Sequence, residues 1–269
     1  MGLLVGSFLN VVILSYPQRL MHDWHCQCRE LIEIDDQRAS VHSPPGLVAE
    51  RSQCPQCQTQ NTWHDNIPLV NWLILMAKCR ACGSKISFCY PLLELITAIL
   101  SVLVIMEFGP SAQVMAALAL TWTLVALTGI DFDHQLLPDQ ITLPLLWLGL
   151  ILNLWLGLFV SIEEAVIGAV AGYGILWSVF QLFKLLTGKE GMGYGDFKLL
   201  GALGAWLGWT ALPAIILIAS LGGAIVGILL IVVARHGREV PIAFGPYLAA
   251  AGFTVLLVGD RLVDYWPYF

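Results

Sequence analysis

Charge is scarce in this chain. Asp, Glu, Lys and Arg make up 12% of its 269 residues, against 58% hydrophobic residues and a mean hydropathy of +0.77. That balance excludes an ordinary soluble globular protein and makes the membrane the solvent. A basic helical stripe is also missing: the 13 Lys and Arg sit in loops and the formal charge is −6, so nucleic acid is not an expected partner, whereas membrane lipids are. No GxSxG, HExxH or P-loop pattern occurs, which leaves serine-nucleophile, zinc-protease and NTPase chemistry without a motif.

The long hydrophobic runs are abundant instead. Gly2 to Tyr16 gives 15 apolar residues, short of the roughly 20 a hydrocarbon core asks for. No Lys or Arg precedes it, so it lacks the basic region of a cleaved signal peptide and reads as a retained first helix. Pro91 to Phe108, Ala112 to Ile130, Ile141 to Val160 and Ala165 to Leu186 each suit one span. Leu199 to Ala234 runs for 36 residues, and Trp209-Thr-Ala-Leu-Pro213 offers the break that makes it two. Ala243 to Gly259 is the last. The expectation is an all-α polytopic membrane protein with about eight transmembrane helices and a small zinc-binding cytoplasmic domain inserted after the first helix. Its domains are 1–16, the first transmembrane helix; 17–90, the four-cysteine domain; and 91–269, the polytopic domain. The small-residue pairs Gly168/Gly172, Gly204/Gly208 and Gly223/Gly227 have the spacing of helix-packing contacts.

Pro17 to Tyr90 is the one polar stretch, with seven of the thirteen basic residues and a Pro44-Pro45-Gly46 loop signal. Cys54-Pro-Gln-Cys57 and Cys79-Arg-Ala-Cys82 stand 21 residues apart, near the spacing at which two knuckles close a tetrahedral zinc site. Two disulfides or four unrelated thiols are the alternatives, and a reducing compartment disfavours the first. A closed four-sulfur site leaves no position for water, so the metal is assigned to folding. His22, His25, Cys26 and Cys28 form a more crowded competing cluster, and Cys89 reads as a small buried residue. With the N-terminus outside, twelve of the thirteen basic residues fall on the cytoplasmic side. This orientation brings the cysteine domain and both acidic loops described next into the cytoplasm.

Two acidic clusters stand at helix mouths: Asp131-Phe-Asp133-His134-Gln-Leu-Leu-Pro-Asp139, and Gly193-Tyr-Gly195-Asp196-Phe-Lys198. An even number of spans between them returns both to one face. Asp139 reads best as a helix N-cap, and a cap is the plain alternative for Asp196. Asp131 and Asp133 end a helix, where the dipole disfavours negative charge, so something else should require them. His134 reads as a polar loop residue, and Glu94 as facing the bundle or the interface. Asp131 and Asp196 as a pair could share a proton, one acting as base toward water and the other polarising an amide carbonyl. Gly193 and Gly195 would permit positive φ and the close approach of a peptide or partner helix. A transporter relaying protons or a cation through the Asp pair, and a non-catalytic zinc-bearing scaffold, are the rival readings.

Taken together, Gly6-Ser-Phe-Leu-Asn-Val-Val-Ile13, the CPxC and CRxC knuckles, Asn66-Ile-Pro-Leu, Tyr90-Pro-Leu-Leu-Glu94, Asp131 with Leu137-Pro-Asp139, and Gly193-Tyr-Gly-Asp196-Phe-Lys198 closely resemble the bacterial type IV prepilin peptidases. The resemblance spans almost the whole chain. It implies a multi-pass inner-membrane aspartic endopeptidase that removes the basic leader of type IV prepilins or type II secretion pseudopilins after a glycine. It further implies catalytic Asp131 and Asp196 and a zinc tetrad of Cys54, Cys57, Cys79 and Cys82; the residues themselves put Asp133, Gly193, Gly195 and Lys198 in supporting roles, with a solvated loop edge the alternative for Asp133. Many members of that family also methylate the new N-terminus from S-adenosylmethionine, an activity the residues themselves do not reveal.

Overall fold

In the computed structural model, residues 1–32, 57, 59, 72, 78–189, 191–233 and 243–265 are described. Cys54 lies outside them. Eight α-helices occur among the described residues: α1 (Gly2–Ile32), α2 (Cys89–Phe108), α3 (Ala112–His134), α4 (Asp139–Leu156), α5 (Ile162–Thr187), α6 (Tyr194–Leu207), α7 (Leu212–Val233) and α8 (Gly245–Tyr265). No strand accompanies them there; a single antiparallel bridge joins Lys78 and Lys85. Six helices, all but α6 and α8, are long and apolar enough to cross a membrane. Large apolar side chains such as Val102, Trp155, Val170, Leu182 and Ile228 are exposed on them, as expected where lipid rather than water is the neighbour.

The chain divides into two compact units, Met1–Val102 and Leu103–Phe269. In the first, α1 does not stop at Tyr16 as the apolar run suggested but continues through Pro17 to Ile32. Gly6, Leu9, Ile13, Pro17 and Leu20 are all buried, at helical spacing, so one packed stripe carries the helix past the proline. Gly6 lies against the Glu94 backbone, where an added Cβ would come within 2.7 Å of Cα, and Asn10 Nδ2 donates to the Tyr90 carbonyl at 3.2 Å. Glu94 is buried on this α2 face. Cys89 is exposed, contrary to expectation, because it is the first residue of α2 and precedes the packed turns.

The second unit is built around α6. This helix has only 14 residues, and every one from Leu199 to Trp206 is buried. Gly168 of α5 and Gly204 of α6 meet backbone to backbone, and an added Cβ at Gly172 would sit 2.6 Å from the Leu200 carbonyl. The GxxxG spacing thus does the packing expected of it on these two helices. On the other side, Asn153 of α4 donates to the carbonyls of Ala205 and Trp206 at 2.9 and 3.3 Å, and Trp206 Nε1 donates to the Leu145 carbonyl at 2.8 Å. Polar groups inside an apolar bundle are therefore satisfied across helices. The 36-residue run breaks where the sequence allows: α6 ends at Leu207, Trp209–Ala211 form one 3₁₀ turn, and Pro213 sits in the first turn of α7, where its missing N–H costs no helical bond.

Candidate active site

Four helix ends contribute to the site. The C-terminus of α3 carries Asp131, the N-termini of α4 and α6 carry Asp139 and Asp196, and the N-terminus of α8 begins with Gly245. Ser111 caps the start of α3 by accepting from Val114 N. Its other end closes with Gln135 in the left-handed region (φ 52°), whose N–H donates to the Asp131 carbonyl at 2.8 Å.

Asp131 is buried, and its Oδ2 accepts the Gly245 N–H at 3.0 Å. The positive end of α8 therefore compensates a carboxylate that its own helix dipole disfavours. Gly245 was not anticipated from the sequence. Its only local signal is the following Pro246, a residue suited to a helix's first turn. Asp133, two residues on, is exposed.

Asp196 occupies the third position of α6 rather than its cap, which is Gly193. Its carboxyl accepts a hydrogen bond from the Gly193 backbone, the reach-back of an acid at the third position toward the cap N–H. Oδ1 is buried with no partner among the described residues. Asp196 stands ahead of the apolar run that begins at Leu199, and burial, reinforced by the nearby Asp131 charge, pushes its pKa up to about 7. Around it, Phe180 of α5 packs on Tyr194 and Phe197 with ring centroids 5.4 and 5.6 Å away, fixing the first turn of α6.

The two glycines of this turn do not use positive φ. Gly193 has φ −79°, and neither it nor Gly195 is among the positive-φ residues. Gly195 instead permits close approach: a Cβ there would lie 2.6 Å from Leu137 Cβ. Asp139 is not an N-cap either. Pro138 holds that position without a side-chain hydrogen bond, and both Asp139 oxygens accept from Lys198 Nζ, at 2.6 and 2.7 Å. An ion pair to α6 competes successfully with the local amide because the lysine projects from the facing helix.

An apolar cavity of about 480 Å³ lies among α5, α7 and the start of α8. Met192, next to Gly193, and Phe244, next to Gly245, both line it. Among the described residues, Ser220 and Tyr247 supply its only polar side-chain atoms.

In the first unit, Cys79-Arg-Ala-Cys82-Gly83 forms a tight turn in which Gly83 N donates to the Cys79 carbonyl at 2.9 Å and Cys79 N to Ser84 O at 2.8 Å. The sulfurs of Cys57, Cys79 and Cys82 lie within 4.8 Å of one another, with Cys57 and Cys79 at 4.0 Å. A tetrahedral zinc with Zn–S bonds of about 2.3 Å would set them about 3.8 Å apart. Hydrogen bonds from the Ser84 side chain and backbone hold the Cys82 thiol below its ordinary pKa, favouring the thiolate that binds metal. Of the competing cluster on α1, His22 and Cys26 approach, at 3.8 Å, while His25 and Cys28 are exposed. The chemistry of three converging sulfurs favours the knuckles.

Comparison with known proteins follows the same division. The bacterial peptidase A24 N-terminal domain matches residues 1–108, and the type IV leader peptidase family matches residues 118–228. A relative from Aeromonas hydrophila named prepilin leader peptidase/N-methyltransferase is 56% identical over 98% of this chain and 91% of its own length. Relatives of the same name from Stutzerimonas stutzeri and Pseudomonas aeruginosa are 53% and 51% identical, each over 97% of this chain and over 90% and 89% of their own lengths. No solved structure matches.

Proposed function

The chain belongs to the type IV leader peptidase family, and from that premise we propose that it is a membrane aspartic endopeptidase acting on type IV prepilins or pseudopilins, which it also N-methylates. The observation that carries the peptidase chemistry is the pair of buried carboxyls on one end of the second unit, Asp131 on α3 and Asp196 on α6. With its pKa near 7, Asp196 carries a proton below neutral pH; it donates to the scissile carbonyl oxygen, and Oδ1 has no partner among the described residues to give up first. Asp131, held by the Gly245 amide, takes a proton from the attacking water. Collapse of the tetrahedral adduct then breaks the C–N bond, and the proton taken from water passes to the departing amine.

The apolar segment of the substrate lies in the cavity rimmed by Met192 and Phe244, and the basic leader remains at the cytoplasmic interface of the inner membrane. The distribution of basic residues supports that sidedness. S-adenosylmethionine is the methyl donor the relatives' name calls for. The cavity's nearly all-apolar lining does not fit an adenosine and a charged amino acid, so no residue is assigned to it. Zinc fits the sulfurs of Cys57, Cys79 and Cys82, with Cys54 as fourth ligand, and would cross-link the knuckles without entering the hydrolysis.

The test incubates detergent-purified protein with a prepilin and S-adenosylmethionine and weighs both products. A shortened, methylated pilin and a free leader are expected from wild type, and neither cleavage product from D131N or D196N at wild-type zinc content. Turnover by either variant would remove that residue from the mechanism.

A further inference from the structure

We infer that Leu137 is a positioning residue for the peptidase reaction, a wedge in the α3–α4 connection that sets the backbone on which both carboxyls are held. The inference rests on the proposed roles of Asp131 and Asp196. Leu137 is buried in a connection only four residues long, between the end of α3 at His134 and the start of α4 at Asp139. Its Cβ and Cδ1 lie 2.6 and 3.3 Å from where a Cβ at Gly195 would be, directly before Asp196. The same Cδ1 lies 3.2 Å from where a Cβ at Gly245 would be, on the residue whose N–H binds Asp131 Oδ2. One side chain therefore fills the gap between the glycine preceding one carboxyl and the glycine that hydrogen-bonds the other.

Both contacts are with glycine: a Cβ at Gly195 would clash with Leu137 Cβ at 2.6 Å, and one at Gly245 would crowd Leu137 Cδ1 at 3.2 Å. The arrangement fixes α6 and α8 against a common stop, and the connection itself is anchored at both ends. Gln135 N–H returns to the Asp131 carbonyl, and Asp139 is tied to Lys198 of α6. Close packing transmits displacement: with the wedge shortened, the α6 and α8 ends can shift toward each other and the two carboxyls lose their register. Misplacement of reacting groups by about 1 Å is enough to cost on the order of a hundredfold in rate. Leu137 has no titrating group of its own and acts through the two glycines.

Leu137→Ala, Leu137→Val and Leu137→Met, purified in the same detergent as wild type, test this with prepilin cleavage kinetics per folded enzyme. Expected is a fall in kcat of about tenfold to a hundredfold for L137A with KM within about twofold, a smaller fall for L137V, and recovery to within about threefold of wild type for L137M, which keeps the volume. A purely structural role would lower the yield of folded monomer on gel filtration without splitting kcat from KM. Wild-type kcat in folded L137A overturns the inference, as does a loss that L137M does not recover. Should L137A fail to fold, L137V decides alone: unchanged kcat overturns. Wild-type cleavage in the same assay keeps a failure of the wedge distinct from a failure of the proposed reaction.

Discussion

At the scale of single residues, the two aspartates differ in what surrounds them. Asp131 Oδ2 accepts an amide from the start of a helix, whereas Asp196 Oδ1 is buried without a partner among the described residues. The sign of the pH dependence follows. Asp196 titrates near 7 against an ordinary 3.8, so the folded protein holds a proton through that window that the unfolded chain releases. Its contribution to stability therefore falls as pH rises from about 4 to about 7, and the protonated acid that the proposed reaction requires is lost over the upper part of the same range. The expected profile of kcat/KM, which reports the free enzyme, has an alkaline limb near pH 7. A profile flat from pH 6 to 9 would remove Asp196 from the role of acid.

Residue roles were legible in the sequence where they depend on neighbours in the chain and illegible where they depend on the fold. That Asp131 needs compensation at a helix C-terminus could be argued from local order alone; that Gly245, 114 residues away, provides it could not. Asp139 had every local mark of a cap, and only the lysine 59 residues later changes its partner. Gly195 was expected to matter, but for backbone freedom rather than for the clearance Leu137 requires.

At the scale of helices, hydropathy located the spans because a membrane demands long apolar runs, and it located the break at Trp209–Pro213 because proline cannot extend a helix. It misjudged α1, since leaving the apolar core ends a span but not a helix, and the buried stripe from Gly6 to Leu20 continues through Pro17. The packing of α5 on α6 is the element-scale feature most exposed to a single change. Gly168 and Gly204 meet through their backbones, so Gly204→Val has nowhere to put its side chain without separating the helices. Overpacking of this kind costs about 1–3 kcal/mol or more, and thermal unfolding in detergent should show G204V several degrees less stable than wild type. Gly223→Val, at a site where the nearest atom is a Tyr247 ring carbon 3.6 Å from an added Cβ, should be much milder. Equal losses for the two would mean that small-residue packing is not what joins α5 to α6.

At the scale of the whole molecule, the two units rest on different physics. The second buries an apolar helix among others and bonds Asn153 and Trp206 across helices, so its cohesion comes from packing and internal hydrogen bonds. In the first, the cysteine segment shows one isolated bridge and three converging sulfurs, and a zinc ion would supply the cross-link that so small a polar segment cannot draw from a hydrophobic core. Metal analysis of the purified chain should give about one zinc per molecule, falling to near zero in a C79S/C82S double variant. Chelation should accordingly open the 78–88 segment to limited proteolysis while the helices of the second unit keep their circular dichroism and unfolding temperature. Because a zinc ion in the proposed four-sulfur site would have no open coordination position, its removal should lower the amount of active enzyme without shifting the alkaline limb expected from Asp196. A shift of that limb on chelation would bring the metal into the chemistry, whereas a zinc-free wild type with an intact 78–88 segment would leave the thiols without the role assigned to them.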